Sequence, residues 1–130
     1  MFKSMVPNLM VENVNETIDF YKNILSFSVV TSVPNDSGGL QFAILTKDDF
    51  SLMIQEKSNF IKEYPSLTMD KVKPSISLYI QVDNLKILYE ELKLQYLILV
   101  DVHTTFYGSK EFAIEDNNGY ILTFTEYINN

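Results

Sequence analysis

Cysteine is absent from the chain, which removes disulfide frameworks, thiolate chemistry and cysteine-based metal sites together. Arginine is absent as well, so all ten basic residues are lysine. The guanidinium fork is the usual device for gripping phosphates, carboxylates and guanine edges, and without it nucleic acid and small polyanions are poor partner candidates. No apolar run approaches the ~18 residues that would suggest a membrane span. No glycine-rich phosphate loop is present, because Gly38-Gly39 stands alone ahead of a strand rather than a helix. Nor is there a G-x-S-x-G nucleophile elbow to organise a serine triad.

What remains is an ordinary globular composition of 46% hydrophobic residues over 130 positions, a one-domain length. Seventeen acidic residues against ten basic give a net charge of −7. The ordinary reading of that surplus is solubility; the functional one is attraction of cations. Residues 1–4 lack the apolar core of a secretory signal, so a cytoplasmic location is expected.

The pattern along the chain is β-α-β-β-β, twice. Residues 5–11 read as a strand, with Asn8 and Met10 on one face by alternation. Asn13 followed by Glu16 has capping-box spacing, and Val14, Ile18, Tyr21 and Leu25 recur at helical period. Strands follow at 27–33, 40–46 and 50–55, separated by the clusters 34–39 and 47–49. A polar connector, 57–73, holds a short helical piece near Phe60. The cleanest alternation comes next: Ile76, Leu78, Ile80 and Val82 against Ser75, Ser77, Tyr79 and Gln81. A helix with Leu85, Leu88 and Leu92 on its buried stripe leads to a strand at 97–105. Two last strands, 111–115 and 120–126, flank Asp116-Asn117-Asn118-Gly119. Asn-Gly there predicts a tight hairpin in which both central residues take positive φ. Val11-Glu12-Asn13-Val14 returns as Val82-Asp83-Asn84-Leu85, 71 residues on, each time joining strand to helix. The repeat gives modules of about 1–56 and 74–130, expected to share one core within a single domain, 1–130.

The opening Leu9-Met10-Val11-Glu12-Asn13-Val14, running to Phe20-Tyr21-Lys22-Asn23-Ile24-Leu25, resembles that of the glyoxalase/bleomycin resistance/extradiol dioxygenase superfamily, the vicinal oxygen chelate fold. Lys110-Glu111-Phe112-Ala113-Ile114 with Asp116-Asn117-Asn118-Gly119-Tyr120 resembles its closing hairpin. One departure is Ser26, where the family has glycine after the first helix. The resemblance implies an α+β fold of two βαβββ modules forming a partly open, barrel-like cleft, completed in a homodimer. It also implies metal-ligand positions on the first and fourth strand of each module. These fall on Val6, Met53, Ser77 and Thr123, none of them a His or Glu. With His103 the single histidine, a slipped alignment would not restore the set. The chain therefore resembles the non-metal, bleomycin-resistance-like members: no metal or other cofactor is expected and no catalytic residue is assigned.

The expected activity is sequestration of a small organic molecule, with the negative charge favouring a cationic one. Phe106 and Tyr107 read either as ordinary packing or as an aromatic wall for a planar or cationic ligand. Tyr79 joins them on the polar face of the fifth strand, with Asn8, Met10 and Met53 by strand parity and Phe42 as a further candidate. Asn8, Ser77, Tyr79 and His103 would fix orientation, and Thr123 lies on the same expected cleft. His103 is either a rim residue or a proton-exchanging group. The alternative is a lyase, isomerase or dioxygenase whose metal is held by Glu12 or Glu126 with His103. The paired acids Asp48-Asp49 and Glu115-Asp116 read as turn-solvating residues.

Overall fold

Asn13 starts the first helix as the sequence predicts: its side chain accepts the Glu16 N–H at 2.9 Å, satisfying one of the orphan donors of the first turn. The helix, α1, runs Val14–Leu25 and ends at Ser26, which takes the left-handed conformation (φ 61°, ψ 33°). The computed structural model describes residues 1–128 and separates into two units, Met1–Lys73 and Pro74–Asn130.

In the first unit, β1 (Asn8–Val11) pairs in parallel with β4 (Phe50–Glu56), and β4, β3 (Leu40–Lys47) and β2 (Ser28–Pro34) form an antiparallel meander. The sheet order is β1-β4-β3-β2. One face carries Leu9, Val11, Ala43, Leu45, Leu52 and Ile54, all at most 3% exposed. These pack with the Val14, Phe20, Tyr21 and Leu25 stripe of α1, each buried side chain contributing about 1.5–3 kcal/mol. The opposite face carries Asn8, Met10, Phe42, Met53 and Gln55, as the registers Asn8↔Met53, Met10↔Gln55 and Phe42↔Gln55 require. The expected helical piece in the connector is α2 (Lys57–Glu63), followed by a 3₁₀ turn at Pro65–Leu67.

The second unit repeats the arrangement: β5 (Ser77–Gln81), α3 (Leu85–Lys93), β6 (Val100–Thr104), β7 (Ser109–Glu115) and β8 (Ile121–Tyr127). Its sheet order is β5-β8-β7-β6, with β5 and β8 parallel. Leu85 and Leu92 of α3 pack with Phe112, Ile114, Leu122 and Phe124 on one face. Asn84 caps α3 as Asn13 caps α1, accepting the Ile87 N–H at 3.3 Å. Glu126 adds a second acceptor at this helix start, taking the Leu85 N–H at 3.0 Å. The fold is thus α+β, with two four-stranded mixed sheets, three α-helices and no closed barrel among the described residues.

Three local expectations are corrected. Ladder pairing in the first strand begins at Asn8 rather than residue 5, since Pro7 has no N–H to donate and only its carbonyl is used, by Met53 N at 2.9 Å. The sixth strand is shorter than 97–105: its register with β7 begins at Val100, although Leu99 N still donates to Ala113 O at 2.9 Å. The closing hairpin has a wider turn than expected. Gly119 alone takes positive φ (95°), its N–H donates to Asp116 O at 3.1 Å, and Asp116 N donates to Tyr120 O at 2.8 Å. A type I-like turn followed by a left-handed glycine replaces the two-residue turn. Asp116 drives the difference: its buried carboxylate accepts from Asn118 N (2.8 Å) and Tyr120 N (3.0 Å).

Candidate ligand-binding site

On the face of the second sheet turned away from α3, side chains of like parity meet. Tyr79 is in register with Thr123, Glu111 with Thr125, and His103 with Glu111. Ser109, Glu111 and Thr125 are buried (0%, 6% and 0% exposed), whereas the rings of Tyr79, Tyr107 and Tyr127 stay about half exposed. A carboxylate in the middle of a strand is costly unless its oxygens are bonded. Glu111 Oε2 accepts from the hydroxyls of Tyr79, Tyr107 (2.8 Å) and Ser109 (3.0 Å), and Thr125 supplies a further hydroxyl. Tyr79 also lies 3.2 Å from Thr125 Oγ1, and the Tyr127 hydroxyl reaches Tyr79.

The turn between β6 and β7 places Tyr107. Thr105 N donates to Ser109 O at 2.8 Å, the two side-chain hydroxyls lie 2.8 Å apart, and Gly108 supplies the positive φ (87°) that reverses the chain. The reversal lets Tyr107 reach back to a residue four positions on.

Burial pushes the Glu111 carboxyl up, but the hydroxyls of Tyr79, Tyr107, Ser109 and Thr125 together outweigh it and hold it below the ordinary glutamate range. Its bond to Glu111 raises the Tyr79 phenol, and the bond to Tyr79 raises that of Tyr127. The face therefore holds a carboxylate that stays ionised at neutral pH and phenols that stay protonated. A general base works best with a pKa near the operating pH, so this arrangement supplies fixed charge rather than proton transfer.

The first unit carries amides where the second carries hydroxyls. Asn8 Nδ2 donates to Gln55 Oε1 (2.9 Å), Gln55 Nε2 to Asn59 Oδ1 (2.6 Å), and Asn59 Nδ2 to Gln41 Oε1 (3.2 Å). Asn8 Oδ1 is buried without a hydrogen-bond partner. A polar notch of about 330 Å³ lies beside this chain of amides, lined by Gln41, Glu56, Asn59 and Lys62 among others.

The sequence-predicted residues are thus distributed in a definite way. Asn8, Met10, Phe42 and Met53 share the face of the first sheet turned away from α1, where Gln55 is bonded to Asn59 of α2. Ser77, Tyr79, Thr123 and His103 share the corresponding face of the second, and Tyr107 joins them through Glu111. His103 is exposed, with Nδ1 2.9 Å from its own strand's Asp101 O. Phe106 is fully exposed, its ring edge-on to that of Tyr107 with centroids 5.1 Å apart. Sequence reasoning missed Glu111, Ser109, Thr125 and Tyr127. The available signal was parity: Glu111 alternates with Phe112 and falls in step with Thr123 and Thr125 across the hairpin.

The positions that the resemblance assigns to metal ligands do not fit an ion. Ser77 Oγ and Thr123 Oγ1 are bonded to each other at 3.0 Å, and Val6 and Met53 offer no hard donor. Among the described residues, no three His, Cys, Asp or Glu side chains gather around one point. The atypical ligands are otherwise engaged: Glu12 pairs with Lys57 (3.0 Å) and accepts Val72 N (2.7 Å), while Glu126 caps α3.

Two βαβββ modules, each covering one face of an open sheet with a helix, define a recognisable class. The family model of the Glyoxalase/Bleomycin resistance protein/Dioxygenase superfamily matches residues 5–124, and the chain belongs to that superfamily. A glyoxalase-related enzyme from Clostridium phytofermentans is similar in structure (TM-score 0.77, 15% identity, 98% of this chain and 97% of that one covered). So is TioX from Micromonospora sp. ML1 (TM-score 0.73, 14% identity, 98% and 100% covered). A glyoxalase/bleomycin resistance protein/dioxygenase from Nocardioides gives a TM-score of 0.78 at 12% identity, with 98% and 85% covered. At such identities the likeness carries the fold and no activity. No curated protein matches the sequence. No described helix is long and apolar enough to cross a membrane.

Proposed function

We propose that the chain is a small-molecule binding protein of the bleomycin-resistance type, holding an organic ligand without metal on the face formed by Ser77, Tyr79, His103, Tyr107 and Thr123. The observation that carries this reading is the hydroxyl-locked Glu111 beneath half-exposed tyrosine rings. Burial of ligand carbon against those rings would supply affinity at about 25 cal/mol per Å², and the hydroxyls and His103 would supply orientation. In the first unit, Asn8, Met10, Phe42 and Met53 share a more apolar face of their own sheet. A homodimer in the cytoplasm belongs to the same reading. The edge strands β2 and β6, whose residues are all exposed and include Val29, Val30, Val100 and Val102, support association between copies.

The test is a thermal-shift screen of an organic-compound library, run with and without a chelator. Stabilising hits that persist in the chelator are expected. Stoichiometric uptake of nickel, zinc, manganese or iron, with hits that vanish on chelation, would replace sequestration by metal-dependent lyase, isomerase or dioxygenase chemistry.

A further inference from the structure

Resting on the reading of this face as an organic-ligand site, we propose that Glu111 Oε1 accepts a hydrogen bond from a primary or secondary ammonium group of the ligand. The two oxygens of this carboxylate are not equivalent. Oε2 accepts from the hydroxyls of Tyr79, Tyr107 and Ser109, while none of these bonds falls on Oε1. Even with the Thr125 hydroxyl assigned to it, Oε1 keeps one of its two lone pairs. Among the described residues, the buried side-chain polar atom left without a partner is Asn8 Oδ1. Oε1 is therefore not sealed in, and the small remaining exposure of Glu111, 6%, reaches this oxygen. No lysine among the described residues lies within ion-pair distance of Glu111. His103, opposite Glu111 in the β6–β7 register, has Nδ1 beside the Asp101 carbonyl of its own strand instead.

One filled oxygen beside one open oxygen sorts ligand groups by geometry. A guanidinium or amidinium grips a carboxylate through both oxygens at once, and Oε2 already carries three hydroxyls. A quaternary ammonium has no N–H to give to the open lone pair. A metal ion needs several hard donors around one point, and no three His, Cys, Asp or Glu side chains gather among the described residues. A neutral N–H or O–H fits the single acceptor, but a hydrogen bond between ionised partners is roughly twice as strong. An ammonium is a point donor, for which one open oxygen suffices. The tyrosines specify what the amine is attached to. Their hydroxyls are tied to Oε2 and to one another, so the exposed halves of Tyr79, Tyr107 and Tyr127 are mainly ring carbon. An aromatic or aliphatic body one short link from the nitrogen would lie on those rings, which also attract the cation.

The experiment titrates the intact protein at pH 7 with four probes that share a phenyl body: benzylammonium, benzamidinium, benzyltrimethylammonium and neutral benzyl alcohol. Calorimetry and tyrosine fluorescence give the affinities. Benzylammonium is expected to bind at least about tenfold more tightly than each of the others. In Glu111→Gln that advantage should shrink to within about twofold, with benzyl alcohol unaffected. Should Glu111→Gln fail to fold, a crystal structure of the natural protein with benzylammonium serves instead, and should place the nitrogen about 2.7–2.9 Å from Oε1. Equal or tighter binding of any of the other three probes, an advantage that survives in Glu111→Gln, or a nitrogen bound away from Oε1 overturns the ammonium assignment. So does silence from benzylammonium while other library compounds bind, and the organic-ligand reading then stands without it. If none of the probes and no library compound binds, that reading falls and takes the assignment with it.

Discussion

A carboxylate surrounded by hydroxyls leaves a signature in acid. Because the folded pKa of Glu111 lies below the unfolded one, the native state binds this proton less tightly than the unfolded chain does. Its contribution is present in full above the ordinary glutamate value of about 4.3 and is lost as pH falls through the lower folded value. Glu12, held down first by the Val72 N–H, moves the same way, so wild type alone will not isolate Glu111. The comparison with Glu111→Gln will. We expect the variant to be less stable by about 2 kcal/mol at pH 7, and the gap measured by urea denaturation should close below about pH 4. Ser26, like Asp48, is a non-glycine residue held at positive φ, 61° in its case. Ser26→Gly should raise stability by about 0.5–1 kcal/mol, the relief of left-handed strain exceeding the entropy of the added glycine.

Among the elements, what was legible in the sequence is what local chemistry dictates. Both helix starts announced themselves through Asn13 and Asn84, and both sheets through period-two alternation, because capping and alternation are read within a few residues. The hairpin turn was misread for a physical reason. Asn118-Gly119 matches a two-residue turn locally, but a carboxylate two positions earlier captures the backbone N–H groups of Asn118 and Tyr120. Asp116→Ala removes the one oxygen, Oδ1, that accepts both N–H groups, at a site only 4% exposed. It should cost about 2 kcal/mol, and hydrogen exchange should show the loss first at the β7–β8 turn. The site was half legible. Parity placed Ser77 and Tyr79 on one face and the family resemblance put Thr123 at the same cleft, while Glu111, the residue at its centre, was not singled out. Only the pairing of β7 with β8, a contact between strands rather than along one, puts that carboxylate over Thr125.

For the molecule as a whole, the repeat visible in the sequence conceals an inequality of packing. Both units share one strand order, yet the buried apolar residues are divided unevenly. Among the described residues the first unit holds fourteen, from Leu9 to Val72, and the second holds eight, from Leu85 to Phe124. The second unit spends its inner strand positions on Ser109, Glu111 and Thr125, which are buried and polar. Polar burial of this kind adds little net stability even when every group is bonded. A small unit with few apolar contacts should open at lower free energy than its neighbour. Native-state hydrogen exchange should therefore show the slowest amides in β3 and β4 and faster ones in β7 and β8, by at least about tenfold. Ligand binding at the Glu111 face should slow exchange in β7 and β8 preferentially, since binding stabilises the state that it occupies. Uniform protection across both units would mean that the polar face costs the second unit nothing, and its apolar partners would then have to be sought outside its own eight residues.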